Sequence, residues 1–159
     1  MNSRRLFTAV FMAVVFVSVV GVTAFAQASD PLVGTWKLNA AKSKGRVAKS
    51  GTTVVEAVGK GVKLSVDLVD ADGVSRKWGF TAQYDGKDNP VTGNSPYGDY
   101  AALTRVDANT TRITNKQGGK VTGVQTIVVS GDGKTRMTTT KGTGAKGEDL
   151  ESVAFYEKQ

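Results

Sequence analysis

The chain has 159 residues and a formal net charge of +7, and it contains no Cys and no His. The missing Cys excludes a disulfide framework, cysteine zinc sites, a thiol nucleophile and a cysteine-linked lipid anchor, and the missing His excludes a Ser-His-Asp triad and an imidazole base. Lys and Arg are scattered among Asp and Glu, which is typical of a solubilising surface, so no nucleic-acid partner is predicted; an anionic partner is the alternative interpretation of the charge.

The first residues have the order of a secretory signal peptide. Two arginines precede an almost wholly apolar run over residues 6–20, and two A-x-A cleavage sites follow, ending at Ala26 and Ala28. We therefore expect a signal peptide over residues 1–28 and a periplasmic or secreted domain over residues 29–159, with no stable membrane insertion after cleavage. An uncleaved membrane anchor is the alternative, because the apolar segment is long enough to span a bilayer.

Beyond this segment, short runs rich in Val, Thr and aromatic residues are separated by turns rich in Gly, Asp and Asn. These runs cover residues 34–38, 52–58, 62–68, 77–84, 100–106, 110–116, 120–130, 134–141 and 152–157. The third and fourth alternate strictly between apolar and polar residues, which predicts strands with one buried face, and the Asp70–Gly73 turn between them predicts a hairpin. Residues 39–50 offer the best helix candidate but have no hydrophobic stripe, so we expect a loop there.

About nine strands joined by short turns predict an all-β fold. A sandwich and a barrel are both compatible with such spacing. Consecutive antiparallel pairing favours an up-and-down barrel of about 8–10 strands, because closing the sheet removes its exposed edges.

The segment at 30–39 reads Asp-Pro-Leu-Val-Gly-Thr-Trp-Lys-Leu-Asn. Its Gly34-x-Trp36 pattern resembles the signature on the first strand of lipocalins. With the signal peptide before it, the chain is similar to small exported bacterial lipocalin-like proteins of largely unassigned function. Residues 84–88, 90–93 and 156–159 also resemble segments of that group.

This resemblance implies that Gly34 and Trp36 help to close one end of the barrel, with the Trp packed against an Arg from a distant strand. Arg105 and Arg112 are the candidates, and Arg105 is preferred because its neighbours Leu103 and Val106 are apolar. The disulfide and the long C-terminal helix of lipocalins are absent from this sequence.

Candidate ligand-binding residues lie on and after the fourth run. Arg76, Trp78, Phe80 and Tyr84 share one strand face, which is either ordinary core or the wall of an apolar cavity. The stretch that follows, residues 85–100, has no alternation and is expected to form a loop at the open end of the barrel. Its tyrosines, Tyr97 and Tyr100, would then cover the opening, or alternatively only attach the loop to the barrel.

The first functional hypothesis is a barrel that binds or carries a small apolar or amphipathic molecule, with no catalysis and no cofactor. The alternative is a barrel with a filled core that acts through its surface on another envelope protein or an anionic polymer. An isomerase or cyclase is a third possibility and would need charged residues inside the barrel, of which Arg76 is the only clear one. An apolar void of several hundred Å³ would favour carriage, and a packed interior would favour surface action.

No metal site is predicted. The two Asp-rich segments, Asp70–Gly73 and residues 131–134, lack the further oxygen ligands and the terminal Glu of a calcium loop. Both are interpreted as hairpin turns. No catalytic residue is predicted either, because the strand carboxylates Glu56 and Asp67 are expected to face solvent.

Overall fold

A computed structural model describes residues 30–144 and 147–159 of the chain. The predicted signal peptide lies outside these residues. Strands make up 65% of the structure and helix 2%, which confirms the all-β prediction. No helix in the described part of the chain is long and apolar enough to cross a membrane.

Twelve strands form one sheet. In chain order they are β1 Gly34–Leu38, β2 Lys44–Gly45, β3 Ser50–Val58, β4 Gly61–Val69, β5 Ser75–Gln83, β6 Asp85–Pro90, β7 Thr92–Gly93, β8 Tyr100–Arg105, β9 Thr110–Gln117, β10 Lys120–Val129, β11 Thr135–Gly142 and β12 Ser152–Lys158. A single turn of 3₁₀ helix covers Ala40–Lys42 within the segment that was expected to be a loop.

The sheet is an antiparallel, nearly closed barrel. Its neighbours run β8-β9-β10-β11-β12-β1-β3-β4-β5, so the first and last strands of the described chain pair with each other. The remaining gap between β5 and β8 is bridged by one segment that changes partner along its length. Its first part, β6, pairs with β8, and its second part, β7, pairs with β5 at Trp78 and Gly79.

The loop expected over residues 85–100 therefore contains two strands, and the expectation is corrected. β6 has the sequence Asp-Gly-Lys-Asp-Asn-Pro, and almost every residue in it is exposed. A strand with both faces in water has no apolar alternation, so the periodicity of the sequence carried no signal for it.

The core lies inside the barrel, where alternate residues of each strand point. The predicted hairpin of β4 and β5 is confirmed, with Leu64 opposite Phe80 and Val66 opposite Trp78. The fully or nearly buried interior side chains include Trp36, Val55, Leu64, Phe80, Leu103, Ile113 and Ile127.

The barrel has two ends that are named here by one residue each. The Trp36 end contains Asp30 and Leu32, which precede β1, and the indole Nε1 of Trp36 donates a hydrogen bond to the Leu32 carbonyl over 2.8 Å. The Tyr97 end contains the β4–β5 turn with Asp70, over which the segment between β7 and β8 folds.

Candidate functional site

The aromatic face predicted on β5 points into the barrel. Phe80 is buried, Trp78 is half-buried, and both line a small interior cavity with Leu64 and Val66. The two rings thus belong to a packed wall that is continuous with the hydrophobic core. The two interpretations of this face, as cavity wall and as ordinary core, therefore do not exclude each other, because the same side chains serve as both.

The side chain of Tyr97 fills the opening at the Tyr97 end of the barrel. Its ring meets the ring of Trp78 edge to face, with centroids 5.9 Å apart. Burial raises the pKa of Tyr97 well above that of an ordinary tyrosine. A side chain held in this way plugs the opening.

Arg76 lies at the same end but is engaged by neighbours. Its Nε donates to Asp70 over 2.6 Å, and its Nη1 donates to Asn94 over 3.2 Å. Asp70 also accepts from the Val74 and Asp72 backbone, and these bonds, led by that of Val74 and followed by the Arg76 side chain, lower the pKa of its carboxyl group. Arg76 therefore ties the β4–β5 turn to the segment that covers the end of the barrel.

Tyr84 lies at the opposite end from Tyr97, contrary to the expectation that both border one mouth. Its hydroxyl is hydrogen-bonded to the Asp30 carboxylate, and the Arg105 guanidinium lies over its ring, 3.9 Å from the centroid. Burial, followed by the Asp30 carboxylate, raises the pKa of Tyr84. Tyr100 does not cover an opening either, because it lies on β8 with 42% of its surface exposed.

The Trp36 ring is completely buried, as the resemblance implies for a residue that closes the barrel. The cations over this ring are Arg136, 5.2 Å from its centroid, and Lys158, 5.1 Å from it. The expected partner, Arg105, lies over Tyr84 instead and binds Asp30 and Thr111. The pairing predicted for Trp36 is therefore corrected from Arg105 to Arg136.

Sequence reasoning missed Arg136 because of its neighbours. On β11 it shares a face with Thr138 and Thr140, and a face of one Arg and two Thr residues has the composition of a solvent-facing side. All three are nevertheless buried. The partner strand carried the only available signal, since Tyr156 on β12 lies opposite Arg136.

The interior cavity has a volume of about 50 Å³. Its apolar lining includes Leu64, Phe80 and Ile127, and its polar lining includes Asn115 and Arg136. Pockets for drug-sized ligands are roughly 300–1,000 Å³. The interior is consequently packed, apart from room for a few small atoms.

A concavity of about 810 Å³ lies on the outer face of the sheet over β3, β4 and β5. We call it the β4–β5 groove and define it by Thr52, Val54, Lys63, Ser65, Asp67, Lys77, Gly79, Thr81, Pro90 and Thr92. Small side chains form its floor, because Ser65 pairs with Val54 on one side and with Gly79 on the other. Trp78 and Phe80 also border it, so the groove and the aromatic core share a wall.

Charged pairs form the rim of the β4–β5 groove. Lys77 is 2.8 Å from Asp67, whose carboxylate raises the pKa of Lys77, and Lys63 is 3.6 Å from Glu56. All four side chains are more than half exposed. The expectation that Glu56 and Asp67 face solvent is confirmed.

A second outer concavity, of about 730 Å³, lies at the Trp36 end. Its principal polar groups are Asp30, Tyr84 and Arg105, which already bond to one another. A third, of about 260 Å³, lies at the Tyr97 end beside the Arg76–Asp70 pair. In both concavities these polar side chains bond to one another and stabilise the ends of the barrel.

No family model matches this chain, and no curated protein matches it. The architecture, an antiparallel and nearly closed barrel of strands, is compatible with a lipocalin-like barrel. Within residues 30–144 and 147–159 no group of three or more acidic side chains is placed to hold a metal ion.

Proposed function

We propose that this protein is an exported, surface-acting binding module built on a filled lipocalin-like barrel, and that it binds an amphipathic molecule in the β4–β5 groove without catalysing a reaction. The observation that carries this proposal is the contrast between the two volumes. The interior offers about 50 Å³, whereas the groove on the outer face offers about 810 Å³.

The chemistry of the groove supports an amphipathic ligand. Its floor of Val54, Ser65 and Gly79 has little polar side-chain surface, and an apolar body placed there would be removed from water. At the rim, Lys63 and Lys77 are paired with carboxylates but remain exposed, so their ammonium groups can also meet a polar head group. Exposed ion pairs of this kind are worth little to stability and are readily exchanged.

Carriage of a ligand inside the barrel is the rival function. It would require Tyr97 to leave its place against the ring of Trp78. The aromatic wall of Trp78 and Phe80 is the observation that favours this rival, because it would line the enlarged cavity.

Groove-filling variants separate the two functions. Anilinonaphthalene sulfonate, which has an apolar ring system and a charged head, is titrated by its fluorescence into the unmodified protein, into Ser65→Trp and into the control Thr126→Trp. Ser65 lies in the middle of the groove, whereas Thr126 lies on β10, a strand outside the groove on the other side of the barrel. We expect Ser65→Trp to weaken binding at least about tenfold, a cost of roughly 1.4 kcal/mol, and Thr126→Trp to leave it unchanged.

Native mass spectrometry of the protein purified from its own host completes the test. A copurifying small molecule that is lost from Ser65→Trp supports the groove. Binding that survives Ser65→Trp but is lost when Tyr97→Trp locks the barrel end would establish carriage inside the barrel and overturn the proposal.

A further inference from the structure

We propose that Arg136, Asn115 and Thr138 form an anion site inside the barrel that holds one small monovalent anion of about the size of a halide. This site is separate from the β4–β5 groove and does not depend on the function proposed for it. It is built from a buried positive charge, a set of unpartnered donors and a cavity of matching size.

The positive charge is that of Arg136, of which only 4% is exposed. Burial lowers the pKa of its guanidinium to about 10, which still leaves the group protonated at neutral pH. None of the ion pairs of the described residues includes Arg136, and no Asp or Glu lines the cavity. Because a lone buried charge is very costly, this arrangement calls for a counter-ion.

The aromatic neighbours of Arg136 do not supply that counter-ion. Its guanidinium lies 4.4 Å from the centroid of the Tyr156 ring and 5.2 Å from that of Trp36, so two π faces contact it. Burial raises the pKa of Tyr156, which keeps its phenol neutral. Cation–π contact stabilises the charge in part but leaves Nε and Nη1 of Arg136 without acceptors.

Those N–H groups belong to a larger set of buried side-chain atoms without a hydrogen-bond partner. The set comprises Nε and Nη1 of Arg136, Nδ2 of Asn115 and Oγ1 of Thr138. All three residues line the interior cavity, and each is more than nine-tenths buried. Guanidinium and amide N–H groups can only donate, and the hydroxyl is able to donate, so the set matches an acceptor with a negative charge.

The size and the apolar lining of the cavity define the anion. A cavity needs a volume of roughly 10–15 Å³ to hold one water molecule. The interior cavity, at about 50 Å³, therefore holds a halide and excludes a fatty acid or any ring system. Leu64, Phe80 and Ile127 also line the cavity and offer no hydrogen bonds. Chloride and bromide lose less hydration energy against such a wall than sulfate or phosphate, since the cost of desolvation rises steeply with charge.

Bromide gives a direct test because it quenches indole fluorescence on contact. In Trp36→Phe, Trp78 is the only tryptophan left, and it lines the interior cavity. Bromide is added at constant ionic strength, with sulfate as the balancing salt. We expect saturable quenching of Trp78 with chloride competing, whereas simple collision from solvent would quench the ring in proportion to the bromide concentration and without competition from chloride.

Thermal unfolding of the unmodified protein provides a second measurement. A bound anion should raise the Tm by roughly 3–8 °C for each tenfold increase in chloride above its Kd. Arg136→Met should abolish both effects, and Arg112→Met, an exposed position on β9, should retain them. If Arg136→Met does not fold, Thr138→Val and Asn115→Leu each remove one donor and should weaken the chloride effect severalfold.

Three results would overturn the proposal. They are quenching of Trp78 that is absent or linear in bromide, a Tm that rises with chloride as much in Arg136→Met as in the unmodified protein, and a chloride effect that persists in the Asn115 and Thr138 variants. Any of these would mean that the cavity holds only water.

Discussion

Arg136 lies over the ring of Trp36 at 5.2 Å, and both side chains are buried at the same end of the barrel. They come from strands that are 100 positions apart in the chain, and β12 connects them in the sheet because it pairs with both β1 and β11. Trp36 is thereby fixed on two sides, by the cation over its ring and by the Leu32 carbonyl at its Nε1. This contact explains why the first strand can close the barrel.

Replacement of Trp36 by Ala should destabilise the protein by about 3–5 kcal/mol, the range for truncation of a large buried aromatic side chain. The ring has no exposed surface, and its loss would also leave Arg136 without one of its two aromatic neighbours. Urea unfolding measures the change. Val128→Ala, on the exposed face of β10, is the control and should cost well under 1 kcal/mol; a similar cost at both positions would contradict the closing role of Trp36.

Asp30→Asn should cost about 1–3 kcal/mol, because it removes the charge that Arg105 and Tyr84 share at the Trp36 end. The ion pair is about three-quarters shielded from solvent, and loss of one partner leaves the other uncompensated. Asp67→Asn removes an equivalent carboxylate from the exposed pair with Lys77 and should cost less than about 1 kcal/mol. Equal urea midpoints for the two variants would show that Asp30 is not part of the closure.

The alternation of apolar and polar residues predicted the strands and the residues that share a face. It did not predict which residues lie at which end of the barrel. It identified Trp78 and Phe80 as neighbours on one face because the period of a strand is two residues. It could not say at which end Tyr84 leaves the sheet. Strand counting would have done so, since β1, β3, β4 and β5 are successive antiparallel strands and the last one returns to the end where the first begins.

The parts of the site that the sequence did not predict depend on contacts between distant segments. Arg136 lies among threonines, and only the sheet order shows that Trp36 and Tyr156 surround it. The β4–β5 groove is likewise a property of the assembled sheet, because its floor combines Val54, Ser65 and Gly79 from three strands. No local pattern of residues indicates such a floor.

An amphipathic probe should quench Trp78 more strongly than Trp36. Trp78 borders the β4–β5 groove, whereas Trp36 lies at the barrel end, behind its cations. Anilinonaphthalene sulfonate accepts energy from tryptophan, so its titration into Trp36→Phe and Trp78→Phe reports each indole separately. Equal quenching in the two variants would place the probe outside the groove.

We expect the chain to be exported and cleaved after one of the two A-x-A sites, so that the mature protein begins at Gln27 or Ser29. Either start retains Asp30 and hence the bonds that it makes to Tyr84 and Arg105. N-terminal sequencing of the protein from the periplasm or the medium measures the start. Retention of Met1 in a membrane fraction would instead establish the anchor.

Stability should fall as the pH rises above about 10. Tyr84, Tyr97 and Tyr156 have raised pKa values in the folded protein, and an unfolded tyrosine titrates near 10. Below pH 10 both states hold these protons, so the contribution of the three phenols to stability is fully present. Above it the unfolded chain loses protons that the folded protein retains, and unfolding becomes more favourable as the pH approaches the folded pKa values.

Arg136 opposes this trend, because its pKa is lowered to about 10 and the folded protein releases its proton before the unfolded chain does. One such group acts against three tyrosines, so the net effect remains a loss of stability. Urea midpoints measured from pH 8 to pH 11 should decline, and Tyr97→Phe should make the decline shallower. Tyr100→Phe, at an exposed position, should not change its slope; a midpoint that stays constant up to pH 11 would show that these phenols are not held neutral by the fold.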